Sequence, residues 1–234
     1  MLFPQPLTPA ILLRRYKRFL ADVRLADGTA ATAHVPNPGA MLGLDAPGSS
    51  CWLSLSPSRT RKLPMTLELI EAEGGLVGVN TLTPNRLVAE ALAERRLPAF
   101  AAYAEIRPEV RYGEASRVDF RLAGPDRPPL WLEVKNVHLS RTPGLAEFPD
   151  CKAARSARHL RDLASRVAAG DRAAVLFVVQ RMDCRAFAPA GDIDPVFTQA
   201  LQEAAEAGVE VHVHACEVAT TGVTLGDALP WSRA

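Results

Sequence analysis

The chain has 234 residues, 48% apolar and 23% charged, with a formal net charge of +1. This is an ordinary globular balance, and it excludes a chain that holds nucleic acid by its overall field: any phosphate-binding surface must be a local patch. The four cysteines form no CxxC pair, there is no run of eighteen apolar residues, and LFPQPLTPAILLRRYKRFL lacks the marks of a secretory signal, so free thiols, no membrane partner and a cytoplasmic setting are expected.

Residues from about 11 to 82 read as short strands separated by Gly, Pro and Asn turns. YKRFLADVRL is an extended run, Asp27-Gly28 a hairpin turn, TAATAHV its answering strand, and Gly74-Gly75 a second hairpin turn. About five such strands fit a small β barrel, OB-like or SH3-like. The segment HVPNPGAM interrupts them, and its Asn37-Pro38-Gly39 turn presents backbone amides to an anion.

The pattern changes near Thr83, which divides the chain into residues 1–82 and 83–234. TPNRLVAEALAERRL predicts a helix with Thr83 as N-cap, Pro84 at its first position and a stop at Pro98. Three strands follow in AEIRPEVRYG, ASRVDFRLAG and LWLEVKNVHLS. DCKAARSARHLRDLASRVAAG predicts a second helix ended by Gly170, RAAVLFVVQR a buried strand, and FTQALQEAAEAGVEVHVHAC a third helix and a further strand. That order predicts a mixed central sheet flanked by helices, an α/β unit after the barrel.

Arg117 to Val137 carries the chemistry. Asp119 and Glu133 lie on neighbouring strands, and the period of two puts Lys135 on the face of Glu133. Charges on so apolar a strand are paired or bind a metal. Asp119 and Glu133, with the Val134 carbonyl, form an oxygen set for Mg²⁺ or Mn²⁺. Lys135 would orient a water or steady charge on phosphorus, and Glu90 on the preceding helix would reach the same ion or its outer waters. The second helix offers Arg155 and His159 to a substrate phosphate, although His159 also suits a satisfied helix–sheet contact. The barrel offers Arg14, Arg15, Lys17 and Arg18, interleaved with Tyr16 and Phe19, and then Arg59, Arg61 and Lys62. His212 and His214 share a strand face but lack a third ligand.

RRYKRFLADV at 14–23, HVPNPGAM at 34–41, VNTLTPNRL at 79–87, RYGEASRVDF at 111–120, LEVKNV at 132–137, FPD at 148–150 and ARHL at 157–160 together resemble the sugar fermentation stimulation protein A family. The resemblance implies an OB-fold unit followed by a PD-(D/E)xK, restriction-endonuclease-like unit. Asp119 then matches the PD aspartate, Glu133 and Lys135 match ExK, and Glu90 matches the preceding helix glutamate, while Val118 replaces the proline. The family also implies DNA binding and a link to regulation of sugar (maltose) use. Three functions are therefore open: a metal-dependent DNA nuclease, a DNA-binding regulator with a vestigial site, and an RNA-processing nuclease. No feature of the sequence sets an oligomeric state.

Overall fold

The computed structural model describes residues 1–58, 60–112 and 116–232. Six strands form the barrel: β1 (Thr8–Tyr16), β2 (Leu20–Leu25), β3 (Ala30–His34), β4 (Ser50–Leu55), β5 (Met65–Ala72) and β6 (Gly75–Gly78). Leu12, Val23, Ala33, Leu53, Leu67 and Val77 fill its interior. The order β3-β2-β1-β4-β5-β6 is closed by a parallel pairing of His34 with Thr66, which gives the OB-like barrel rather than the SH3-like alternative.

Two turns differ from expectation. YKRFLADVRL is no single run, because Lys17 and Arg18 take left-handed φ values of 48° and 62° between β1 and β2. The second hairpin turns on Glu73-Gly74, one residue earlier than Gly74-Gly75, because Ala72 pairs with Gly75.

The second unit begins with α1 (Thr83–Ala93), followed by β7 (Glu105–Tyr112), β8 (Ser116–Ala123) and β9 (Leu130–Val137). Thr83 is already helical, with Leu82 at the cap position, and the helix ends at Ala93 before a left-handed Arg95 instead of running to Pro98. Next come β10 (Leu139–Thr142), β11 (Leu145–Phe148), α2 (Ala154–Ala168), β12 (Arg172–Val179), β13 (Ala186–Pro189), α3 (Pro195–Glu206), β14 (Glu210–Ala219) and β15 (Gly222–Ala228). The central sheet has the order β15-β14-β12-β9-β8-β7, with β9, β12 and β14 parallel. Leu130, Leu132 and Val134 of β9 pack with α1 on one face, whereas Trp131 and Val137 pack with α2 and α3 on the other. Alternation therefore turns Glu133 and Lys135 toward α2. The small sheet β10-β11-β13 was not foreseen from the sequence. No helix among the described residues is long and apolar enough to cross a membrane.

The barrel docks on this unit through HVPNPGAM, but not through the Asn37-Pro38-Gly39 amides expected to take an anion: Asn37 N donates to Val35 O and Gly39 N to Asn37 Oδ1. Met41 N, beyond the turn, donates to Asp150 Oδ2 at 2.7 Å, and His138 Nε2 lies 3.1 Å from the same oxygen. Arg15 holds the turn from the barrel side, donating to the carbonyls of Asn37, Gly39 and Ala40 at 2.8–2.9 Å. A second contact runs from Gly78 N to Gln180 O at 2.9 Å. The chain start crosses over as well: Leu2 bridges Gly222 and Phe3 N donates to Thr221 O, so the first residues pack on the second unit and not in the barrel.

A Cβ on Gly39 would lie 2.5 Å from Asp150 Oδ2. Gly39→Ala should therefore lower stability by about 1–3 kcal/mol in urea titrations, as overpacking does. Adding Asp150→Ala should make the double variant more stable than the sum of the single effects allows; strict additivity would show that the clash is not the cause.

Candidate active site

Strands β8 and β9 pair at Leu122–Leu130, Arg121–Trp131 and Phe120–Leu132, and the ladder stops there. One step further Asp119 would face Glu133. The Asp119 carboxylate enters the gap instead, and its Oδ2 accepts from Val134 N at 2.7 Å. Its Oδ1 accepts from Asn85 Nδ2 at 2.7 Å, from the first turn of α1. In an extended strand both backbone groups of a residue face the same side, so the Val134 carbonyl also faces the gap.

Glu133 is 3% exposed. Its Oε1 accepts from Lys135 Nζ at 2.7 Å and from His159 Nδ1. Its Oε2 is buried and has no partner among the described residues. Arg155 Nε donates to His159 Nε2 at 3.3 Å, which leaves the ring proton on Nδ1, facing Glu133. Burial alone would push Glu133 up, but the Lys135 charge and the His159 bond outweigh it and hold the carboxyl below its usual range. Asp119 goes the other way: burial and the nearby Glu133 raise it to about 6, against the pull of Val134 N, Asn85 and Lys135.

These groups line an open cleft of about 680 Å³ between Pro38 of the barrel, the start of α1, the splayed strands and α2. The donor set suits a hard cation, since one buried carboxylate oxygen has no other partner and a second carboxylate and a carbonyl lie beside it. No three His, Cys, Asp or Glu side chains converge among the described residues. An ion held here would thus have Asp119, Glu133, the Val134 carbonyl and waters as ligands.

The other sequence candidates separate into two groups. Arg155 lines the cleft with Asp119, Glu133, Val134 and Lys135. Glu90 does not: it pairs with the Met1 ammonium at 2.9 Å and with Arg96 at 3.5 Å, and Asn85 is the α1 residue that reaches the carboxylates. His159 lines the cleft too, but it is 4% exposed and both nitrogens are engaged, by Glu133 and by Arg155, so it makes the helix–sheet contact and steadies Glu133. Arg15 is committed to the Asn37–Ala40 carbonyls, and Arg14 pairs with Asp22 at 2.7 Å. Lys17 and Arg18 stand exposed at the hairpin tip beside Phe19, which is 44% exposed. Arg61 donates to Thr66 Oγ1 at 2.9 Å, Lys62 is exposed, and Arg59 lies outside the described residues. His212 packs edge-on to Phe100, and His214 Nδ1 bonds Gly226 O, as half-buried strand residues do. Asn85 and Arg117 of the cleft were not foreseen. A polar residue in the first turn of TPNRL was the available signal for Asn85, but its partner is 34 residues away.

A carboxyl whose folded pKa lies above its unfolded value costs stability at high pH. That cost accrues between the two values and is complete above the folded one. Asp119→Asn can keep the bond from Val134 N, with Asn85 turning its amide to match. In chelated, metal-free buffer this variant should be more stable than the parent at pH 8, by up to about 3 kcal/mol. The advantage should shrink as pH falls through about 6 and vanish below about 4. An unchanged or lower Tm at pH 8 would refute the electrostatic account.

Known proteins are similar to this chain in both of its units. The family model described as the SfsA N-terminal OB domain matches residues 13–79, and the one described as the sugar fermentation stimulation protein RE domain matches residues 82–222. The sugar fermentation stimulation protein homolog of Caulobacter vibrioides is 58% identical over 234 residues, covering 100% of this chain and 98% of the relative. The homolog of Rhodospirillum centenum is 57% identical over 229 residues, covering 98% of each. The structure of Pyrococcus furiosus SfsA in complex with Ca²⁺ matches with a TM-score of 0.90 at 27% identity, covering 99% of this chain and 98% of that one. With both domains matched in order along its length, the chain belongs to the sugar fermentation stimulation protein family.

Proposed function

We propose that this protein binds DNA and hydrolyses phosphodiesters with Mg²⁺ or Mn²⁺ held by Asp119, Glu133 and the Val134 carbonyl. The observation that carries the reading is the buried, unpartnered Glu133 Oε2 beside the Asp119 carboxylate in the β8–β9 gap. The Ca²⁺ complex of the Pyrococcus furiosus relative supports a hard, oxygen-seeking cation. When bound, such an ion lowers the pKa of a water and offsets phosphate charge. Lys135 keeps Glu133 ionised with one N–H and has two more donors for a water or a phosphate oxygen. Arg117 and Arg155, on either side of the cleft, supply charge for the neighbouring phosphates, and His159 fixes Glu133 in place.

In this reading the barrel contributes Lys17 and Arg18 as phosphate contacts and Phe19 as a stacking surface. The four free thiols suit a reducing cytoplasm. A regulator that binds DNA without turnover is the second reading. It is favoured by the ion pair that already ties Lys135 to Glu133, and the family description supports a link to sugar fermentation. RNA remains the alternative substrate, since OB surfaces accept single strands of either kind.

Labelled DNA and RNA panels with and without Mn²⁺ separate these readings. Lys135→Ala should slow cleavage by about 100-fold or more while leaving Mn²⁺ affinity within a few-fold. Asp119→Ala should lose the ion itself. Wild-type protein that binds Mn²⁺ and DNA but cuts neither polymer leaves the regulator; failure to bind Mn²⁺ at all overturns the metal site.

Replacing Lys17 and Arg18 together with alanine should reduce the slope of log K against log salt by about 1.8 on duplex DNA, or about 1.4 on single strands. Replacing Arg15 should instead lower stability, because it leaves turn carbonyls without donors. An unchanged slope for the Lys17/Arg18 variant would move the footprint off the hairpin tip.

A further inference from the structure

The antiparallel register of β7 and β8 pairs Pro108 with Phe120 and Val110 with Val118. Glu109 therefore stands opposite Asp119, as Glu133 does on the other side one step beyond the β8–β9 ladder. Glu109, Asp119 and Glu133 form a row across three adjacent strands, and all three line the same cleft. Glu109 is exposed at the cleft mouth, and no hydrogen bond or ion pair to it is found among the described residues. Its backbone φ is 54°, a conformation disfavoured for a glutamate. Like charges directly opposite in an antiparallel pair repel, so nothing in the fold alone favours a glutamate at this position. At the inner end of the row is Glu133, which lines the cleft and whose buried Oε2 has no partner among the described residues.

We propose that Glu109 is a metal ligand and that the cleft takes two divalent cations. The inner one lies between Glu133 and Asp119 and the outer one between Asp119 and Glu109. This rests on the metal-site reading above. The row does not converge on one point, so it makes two adjacent carboxylate pairs that share Asp119 and not a single three-carboxylate cage. Paired neighbouring strands lie about 4.8 Å apart and β8 and β9 splay slightly further beyond Phe120, so ions in adjacent carboxylate pairs would stand about one strand spacing apart, comparable with the roughly 4 Å of two-metal phosphodiester sites. The outer ion has fewer buried ligands and an exposed partner, so it binds more weakly than the inner one. It would sit next to Arg117, on the side where a scissile phosphate or its leaving oxygen is reached from solvent.

The test is Mn²⁺ titration of the full chain by calorimetry, with electron paramagnetic resonance to detect coupling between adjacent ions. Wild type should bind two Mn²⁺ per chain, the second at least 10-fold more weakly, with a spin-coupled signal at saturation. Glu109→Gln should bind one, with the tight site changed by less than about 3-fold and no coupling. Glu105→Gln, which removes an exposed carboxylate from the same strand, should behave as wild type. Two ions in Glu109→Gln, or one ion and no coupling in wild type, overturns the inference while leaving the inner site standing. No Mn²⁺ binding by wild type overturns both this inference and the metal site.

Discussion

A carboxylate takes the place of a strand at the centre of this protein. Where β8 and β9 would continue to pair, Asp119 Oδ2 accepts the Val134 amide, and the two backbones separate. The backbone donor is not orphaned, because the side chain does the work of the ladder. The separation opens the floor of the cleft, turns the Val134 carbonyl into it and leaves Glu133 beside a neighbouring carboxylate. The opposite pKa directions of the two acids follow from this: one charge is secured by Lys135 and His159, and the other is resisted by burial and by the first.

One edge of the cleft comes from the barrel, and another carboxylate, that of Asp150, ties the two units together. Asp150 accepts from Met41 N in the HVPNPGAM turn, and Gly39 lets it approach. Arg15 fixes the carbonyls of the same turn. Basic residues of the barrel thus differ in what they do: Arg15 organises backbone, while Lys17 and Arg18 stand exposed at the hairpin tip. Pro38 of the turn lines the cleft, so loss of docking would also reshape the site.

Much of the site was legible because strand periodicity is a local rule. Glu133 and Lys135 on one face of an apolar strand could be read two residues apart, as could the VDF strand carrying Asp119. Glu90 misled for the same reason. Helical spacing puts it on α1 but cannot say which end of that helix meets the sheet edge, and the structure brings Asn85 there instead. His159 was readable as a helix–sheet contact or a phosphate donor, and only its two bonds decide between them. The strands β10, β11 and β13 have four residues each, and β11 pairs with β13 across about forty positions of chain, beyond any local pattern.

The sequence by itself determined the two-part organisation, the strands and helices with strong periodicity, the pair of acids with its lysine, and family membership through motifs spread along the chain. Alternation, turn chemistry and the rarity of charges on apolar strands are enough for that. Tertiary structure alone decided how the barrel closes, through His34 and Thr66, and which arginines are free. It also decided that β8 and β9 part at Asp119, and that Glu109, Asp119 and Glu133 stand in one row. Those outcomes depend on register between strands and on packing between residues far apart in the chain, and neither quantity is written in the spacing of residues along one segment.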